Sequence, residues 1–260
     1  MASLTFELKN ARLGATLAIA AIGCVAQAGL IFDPFNGESL FENDADDATV
    51  RRFLDEDYLL FGTPFASVDV STNGNLNFND NVNFQNEGFP SPFADGMISP
   101  LWDDYIVRPG SQVLEHDGVG FYAFTWKNVS SWRDENSRHT FQAVIFAQNQ
   151  NFGGFDFLAG DIAFAYRSQG KGPNDDDATL GLNAFGGGIA AGLPGDGKTV
   201  LKADDFDRLP LGKNEFILYR WNGEGYNVTL QQTQRVVPEP GTMAALGLGA
   251  IWLAARRRKR

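Results

Sequence analysis

Residues 68–78 read Val68-Asp69-Val70-Ser71-Thr72-Asn73-Gly74-Asn75-Leu76-Asn77-Phe78. Apolar and polar residues alternate on both sides of Asn73-Gly74-Asn75, which predicts a hairpin of two strands that each bury one face. A two-residue Asn-Gly loop would put the apolar residues of the two strands on opposite faces. A three-residue loop pairs Thr72 with Leu76 and Val70 with Phe78, so that one face stays dry. We therefore expect the three-residue loop, with Asn75 in a left-handed conformation.

Further short segments around this hairpin predict strands, because each is rich in aromatic or β-branched residues and is bounded by Gly, Pro, Asn or Asp. They are residues 118–126, 140–147, 161–166, 179–185 and 215–221, with a shorter strand at 50–54. No long segment between the two ends of the chain has a helical period. The expected fold is all-β: an antiparallel β-sandwich-like domain between an N-terminal signal peptide and a short C-terminal transmembrane or sorting helix.

The signal peptide is predicted by the first 28 residues. Lys9 and Arg12 precede an apolar run at residues 13–25, and the small residues Ala26 and Ala28 form a cleavage site. We expect cleavage after Ala28. A lipoprotein leader is the alternative, with Cys24 as the lipidated residue, but Ala21 is small for the position that it would occupy.

Cysteine content and charge restrict what the exported chain can be. Cys24 is the only cysteine, so cleavage after Ala28 leaves a chain that cannot form disulfides. The chain has 21 basic and 32 acidic residues, a net charge of −11. Such an acidic surface repels nucleic acid and anionic lipid, so we expect no nucleic-acid partner.

The C-terminal tail, residues 237–260, has three parts. Pro238-Glu239-Pro240 is followed by fourteen uncharged residues, 242–255, and then by the basic cluster Arg256-Arg257-Arg258-Lys259-Arg260. The basic cluster is typical of the cytoplasmic side of a membrane. The apolar run is shorter than the roughly 20 residues of a comfortable span. An ordinary membrane anchor is the alternative interpretation of this tail.

This three-part order resembles the PEP-CTERM sorting signal of Gram-negative bacteria. The resemblance implies that an exosortase, a membrane protease-transpeptidase, is the processing partner. It also implies that Pro238, Glu239 and Pro240 form the recognition triplet and that Arg256, Arg257 and Arg258 form the stop. The expected route is export through the signal peptide, transient anchoring in the inner membrane, and delivery to the cell surface or extracellular matrix.

The central part of the chain resembles the NIDO domain, the extracellular module of nidogens. The resemblance is carried by several blocks in the family's order, at residues 60–78, 90–93, 97–104, 125–129, 140–144, 160–162 and 178–183. The domain organisation that follows is a signal peptide (1–28), an entry segment (29–44), a NIDO-like β domain (45–236) and the sorting tail (237–260). The family has no known enzymatic machinery, so the resemblance implies adhesion or binding, with extracellular polysaccharide or other matrix proteins as partners.

Acidic residues in the first part of the chain are candidate metal ligands. Two groups occur, Asp44, Asp46 and Asp47 in one and Asp55, Glu56 and Asp57 in the other. Calcium takes six to eight oxygen ligands, which closely spaced carboxylates could supply. Neither group has the spacing of a known calcium loop, so solvated surface is the preferred interpretation. Calcium is the single cofactor that we consider, and otherwise we expect none.

Three other patterns imitate functional sites. Residues 192–199 match the G-x-x-x-x-G-K-T expression of nucleotide-binding proteins, but a glycine-rich segment precedes them and no long helix is predicted after them, so we expect no nucleotide. Asp103-Asp104 imitates a glycosidase pair, yet neighbours in a strand point to opposite faces. His116 and His139 lie among polar residues and are interpreted as surface histidines. We therefore expect a non-enzymatic protein, with an extracellular carbohydrate-active enzyme as the alternative.

Overall fold

The computed structural model describes residues 31–32, 37–78, 88–92, 95–152, 154–169, 177–187, 190–211 and 214–232. Its strands, in chain order, are β1 (Glu38–Ser39), β2 (Ala45–Asp46), β3 (Thr49–Leu60), β4 (Thr63–Ser71), β5 (Leu76–Asn77), β6 (Met97–Trp102), β7 (Tyr105–Val107), β8 (Gln112–Gly118), β9 (Phe121–Ser131), β10 (Asp134–Phe146), β11 (Gln150–Phe152), β12 (Phe155–Phe157), β13 (Ile162–Ser168), β14 (Asp177–Asn183), β15 (Ala190–Ala191), β16 (Val200–Lys202), β17 (Glu215–Trp221) and β18 (Tyr226–Gln232). Two 3₁₀ turns, Phe185–Gly187 and Ala203–Arg208, are the helical elements of these ranges. No helix within them is long and apolar enough to cross a membrane.

The strands form two large sheets whose pairings are antiparallel. The nine-stranded sheet has the order β1-β8-β9-β10-β13-β17-β18, with β7 beside β9 and β2 beside β7. The seven-stranded sheet has the order β15-β14-β6-β5-β4-β3, with β16 beside β14. β11 and β12 form a separate two-stranded ribbon. The predicted all-β, antiparallel fold is confirmed.

The main core lies between the two large sheets, because one face of each contributes its apolar residues to the same cluster. The polar tips of buried aromatic residues connect the sheets. The Trp126 indole N–H donates to the Ser71 carbonyl at 2.8 Å, and the Tyr166 hydroxyl donates to the Pro100 carbonyl at 2.7 Å. Each bond satisfies a donor that burial would otherwise leave without a partner.

A smaller apolar cluster covers the outer face of the nine-stranded sheet. It joins Phe32 to residues of β9, β10, β13 and β17 and to Phe157 of the ribbon. The buried Gln142 side chain fixes Phe32 there. Its carbonyl oxygen accepts from the backbone N–H groups of Ile31 (3.1 Å) and Phe32 (3.0 Å), and its amide donates to the Phe32 carbonyl (3.0 Å). Ile31 and Phe32 therefore pack on the nine-stranded sheet.

The hairpin of residues 68–78 has a three-residue loop, as predicted, but the loop begins one residue earlier, so each residue of β4 pairs with a partner two residues earlier than predicted. Val70 pairs with Leu76 and not with Phe78, and the loop is Thr72-Asn73-Gly74. The left-handed residue is Gly74, with a φ of +78°, and not Asn75. A Cβ atom at Gly74 would lie 2.0 Å from the Leu101 carbonyl oxygen, so only glycine fits at this position.

The other predicted strands are present, most of them with different bounds. The strand predicted at residues 215–221 has these bounds in the structure, whereas the one at 50–54 is part of the twelve-residue β3. β8 and β18 were not predicted, because charged or amide side chains interrupt their apolar pattern. Residues 190–208, for which no strand is predicted, contain β15, β16 and a 3₁₀ turn. The predicted signal peptide (1–28) and sorting tail (237–260), with its expected transmembrane helix, lie outside the described residues.

Candidate functional site

Three carboxylates meet at one edge of the nine-stranded sheet. We call Asp46, Asp47 and Asp104 the acidic cluster; each offers an oxygen atom within 4.8 Å of the others. The pairing of β2 with β7 brings them together, since Asp46 is opposite Ile106. Asp47 directly follows β2 and Asp104 directly precedes β7, so antiparallel pairing places both beside the Asp46 end of β2.

The loop of the 68–78 hairpin holds this cluster in place. Asn73 is fully buried, and its amide donates to the Asp47 carboxylate at 2.9 Å. Its side-chain oxygen accepts from the Tyr105 N–H at 2.9 Å, and its backbone carbonyl accepts from the Asp103 N–H at 3.2 Å. This one loop residue thus fixes the backbone on both sides of Asp104.

The electrostatics of the cluster favour protonation or a cation. Burial raises the pKa of Asp104 to about 6, and repulsion by Asp47 and Asp46 adds to this effect, while Arg133 opposes it. Burial also raises the pKa of Asp46, with further repulsion from Asp47. Calcium binds six to eight oxygens, so these carboxylates could supply part of its ligand set and relieve their mutual repulsion.

The backbone of an exposed aromatic residue is hydrogen-bonded to the backbone of the acidic cluster. Trp132, in the turn between β9 and β10, is 53% exposed, and its backbone N–H donates to the Asp104 carbonyl at 2.8 Å. Few large apolar side chains of the described residues are as exposed. The edge therefore combines carboxylates, the Arg133 guanidinium and an aromatic ring, which are groups that can contact a polar ligand.

Comparison with family models identifies both parts of the chain. A model described as NIDO related matches residues 24–201. The chain belongs to the NIDO-related family. A second model, the PEP-CTERM protein-sorting motif, matches residues 236–259. Comparisons with curated proteins and with solved structures find no match. Both resemblances found in the sequence are thereby confirmed.

The residues of the sorting motif lie outside the part of the chain that the structure describes. Ala26 and Ala28 of the predicted leader, the triplet Pro238, Glu239 and Pro240, and the basic residues Arg256, Arg257 and Arg258 lie outside the described ranges. The matched motif covers the triplet and the three arginines. It marks the chain as a substrate of an exosortase and as a protein sorted to the cell surface or the extracellular space.

Within the NIDO-related domain, the structure brings together only part of the acidic residues that the sequence singled out. Asp46 and Asp47 join Asp104, whereas Asp55, Glu56 and Asp57 lie along β3. The sequence pairs Asp104 only with its neighbour Asp103. The sequence offered no signal for its meeting with Asp46 and Asp47, since the two-residue strand β2 has no detectable periodicity.

Asp103 and Asp104 are not neighbours in a strand, so the expectation that their side chains point to opposite faces was wrong. The two residues form the connection between β6 and β7. The Asp103 carboxylate accepts from the Asp104 N–H at 2.8 Å, which closes a local turn. In this geometry the Asp103 side chain supports the backbone that presents Asp104.

The glycine-rich segment 192–199 connects two short strands, β15 and β16. The Leu193 N–H donates to the Lys198 carbonyl at 2.8 Å, so the loop closes on itself. The Lys198 ammonium contacts the Asp205 carboxylate. A phosphate cradle needs a helix whose N–H groups converge on the phosphate, and here β16 follows instead.

The expectation for the histidines was wrong for His139. Its side chain is 1% exposed, with Nδ1 2.9 Å from the Gln169 side-chain oxygen and its ring 5.1 Å from that of Tyr105. His116 is half-buried, and its ring stacks on Phe32 and Phe121. Polar sequence neighbours were a poor guide, because strand alternation sets which side chain faces the core.

Proposed function

We propose that the NIDO-related domain acts outside the cell as a non-enzymatic binding module, with extracellular polysaccharide or other matrix proteins as its partners. The observation that carries this proposal is the joint presence of an extracellular-type domain and an exosortase sorting motif in one chain. The edge with the acidic cluster and Trp132 supports it, since hydroxyl-rich ligands are recognised by carboxylates and aromatic faces.

The proposed route begins with removal of the leader after Ala28 in a Gram-negative bacterium. The apolar run 242–255 then holds the chain briefly in the inner membrane, because it is shorter than the roughly 20 residues of a stable span. The basic residues that follow stop translocation on the cytoplasmic side. The triplet at 238–240 remains on the exported side, where prolines keep the chain extended and accessible to the exosortase.

The sorting step is tested by Glu239→Ala in a host that carries an exosortase. We expect the variant to stay unprocessed in the inner membrane, whereas deletion of residues 256–260 should release a full-length product. Immunoblotting of membrane and extracellular fractions with a tail-specific antibody measures both outcomes. Glu224→Ala, at an exposed turn of the domain, is the matched control and should be processed normally. Normal processing of Glu239→Ala would show that the tail is an ordinary anchor.

A carbohydrate-active enzyme is the second candidate, favoured by the raised pKa of Asp104 beside two other carboxylates. Glycosidases use such a pair, one protonated and one ionised. Incubation of the purified protein with matrix polysaccharide from its host distinguishes the two functions. A binding module should co-sediment with the polysaccharide and release no reducing ends. Hydrolysis that disappears in Asp103→Asn or Asp104→Asn would establish the enzyme and contradict our proposal.

A further inference from the structure

Within the part of the chain that the structure describes, β18 is an edge strand of the nine-stranded sheet. β18 pairs with β17 on one side, and no described strand pairs with its outer edge. Natural proteins protect such edges with charges, prolines, bulges or very short strands, because free N–H and C=O groups pair readily with another strand. β18 reads Tyr-Asn-Val-Thr-Leu-Gln-Gln, so its seven residues include neither a charge nor a proline.

The other edge strands of the described ranges carry at least one of these protections. β1, β2 and β15 have two residues each, and β16 has three and ends in Lys202. β3 is long, but it carries Arg51, Arg52 and three acidic residues and has a bulge between Phe53 and Tyr58. β18 is therefore the described edge that is most open to strand addition.

We propose that β18 pairs with β18 of a second copy of this chain, in an antiparallel ladder whose two-fold axis passes through Thr229. This register uses all seven residues. It pairs Tyr226 with the partner's Gln232, Asn227 with the partner's Gln231, and Val228 with the partner's Leu230. In this register, even-numbered residues pair with even-numbered residues and odd-numbered with odd-numbered. The residues whose backbone N–H and C=O groups point outward therefore face each other, whether they are the even-numbered or the odd-numbered ones.

The side chains of β18 are complementary to themselves in this register. Leu230 is 51% exposed and lies on the same face as Val228, which packs against the main core. Because the axis relates the two copies, Val228 of each copy would cover Leu230 of the other. On the opposite face, the Asn–Gln and Thr–Thr pairs are cross-strand combinations that exchange hydrogen bonds.

Charge also favours a second copy at this edge. The chain carries a net charge of −11, so two copies repel each other where acidic surfaces meet. β18 contributes no charged side chain, and self-pairing here places no carboxylates directly opposite each other. Among the described edges, β18 thus combines free backbone groups with the absence of charged side chains, so electrostatic repulsion between two copies is weakest there.

The test uses a pair of charge variants at the two-fold axis. Thr229→Lys places two ammonium groups opposite each other, and Thr229→Glu places two carboxylates there. Because like charges across an interface are strongly unfavourable, each variant should raise the dimer dissociation constant by at least about tenfold. An equimolar mixture of the two should restore it, since opposite charges then face each other. Restoration also shows that both variants are folded.

The chain is purified as its host delivers it, and the dissociation constants are measured by sedimentation velocity over a concentration series. Val119→Lys, at an 83% exposed position in the β8–β9 turn, is the control and should leave the dimer unchanged. A wild-type chain that remains monomeric would overturn the proposal, as would variants that dimerise normally. Failure of the mixture to recover the wild-type affinity would overturn the register through Thr229.

Discussion

Replacement of Asp104 by asparagine should stabilise the protein at neutral pH and leave it unchanged in acid. The structure shows the reason: the carboxyl is half-buried between Asp46 and Asp47, and its pKa rises from 3.8 to about 6. Asparagine has nearly the same shape but never ionises. The variant therefore removes the electrostatic cost of the third charge without removing the backbone bonds that Asp103 and Trp132 make around position 104.

The size and sign of the effect follow from that pKa. A tenfold change in a protonation constant corresponds to about 1.4 kcal/mol, so a fully buried carboxyl with this pKa would cost about 3 kcal/mol on ionisation. Water screens the half-buried Asp104, and we expect about 1 kcal/mol. Because the folded-state pKa lies above the unfolded value of 3.8, the favourable contribution is fully present below that pH and is lost as the pH rises through about 6.

The assay is urea unfolding of wild type and Asp104→Asn between pH 3.5 and pH 7.5, in the presence of a chelator. The stability difference should grow from about zero below pH 4 to about 1 kcal/mol above pH 6. Asp57→Asn removes the same charge from an exposed position on β3 and should show no such rise. A difference that does not depend on pH would refute the reasoning. A repeat with added calcium tests the cation, since stabilisation that only the wild type shows would assign the ion to the acidic cluster.

Two further substitutions test the packing of the chain. Gln142→Ala should lower the free energy of unfolding by about 2–4 kcal/mol in urea, because it leaves the Ile31 and Phe32 backbone groups without their partner; the exposed Gln148→Ala is its control, and an equal loss in both would contradict this role. Lys198→Ala should change stability by less than about 1 kcal/mol, because its ion pair with Asp205 is partly exposed. Addition of Mg-ATP should leave the Tm of the wild type unchanged, and a nucleotide-dependent increase that Lys198→Ala abolishes would overturn the interpretation of the 192–199 loop.

The strands that the sequence predicted best are those that apolar clusters cover on both faces. In β17 the side chains alternate between the main core and the outer cluster, and both environments select apolar residues, so the whole strand stands out. In β18 one face meets solvent, and none of the described strands is a second neighbour. Its amide and hydroxyl residues then resemble those of a loop. The apolar pattern of the sequence identifies a strand only where neighbouring layers bury its side chains.

The candidate site could not be predicted in the same way, because its residues come from elements too short to have a period. β2 has two residues and β7 has three, and their pairing depends on where the rest of the sheet places them. His139 could not be predicted to be buried either. A bulge separates it from Phe141 on β10, so strand alternation counted from Phe141 does not predict which face carries its side chain.

The shifted hairpin register and the acidic cluster have one physical origin. The close approach of the Leu101 carbonyl leaves no room for a side chain at position 74, so the loop must place Gly74 there. Asn73 then occupies the centre of the loop, next to the connection that follows β6. From this position it reaches the Asp103 and Tyr105 N–H groups and the Asp47 carboxylate together. A loop one residue later would have moved Asn73 towards the strand and left those groups without their partner. The glycine that determines the pairing of the hairpin therefore also determines where the three carboxylates meet.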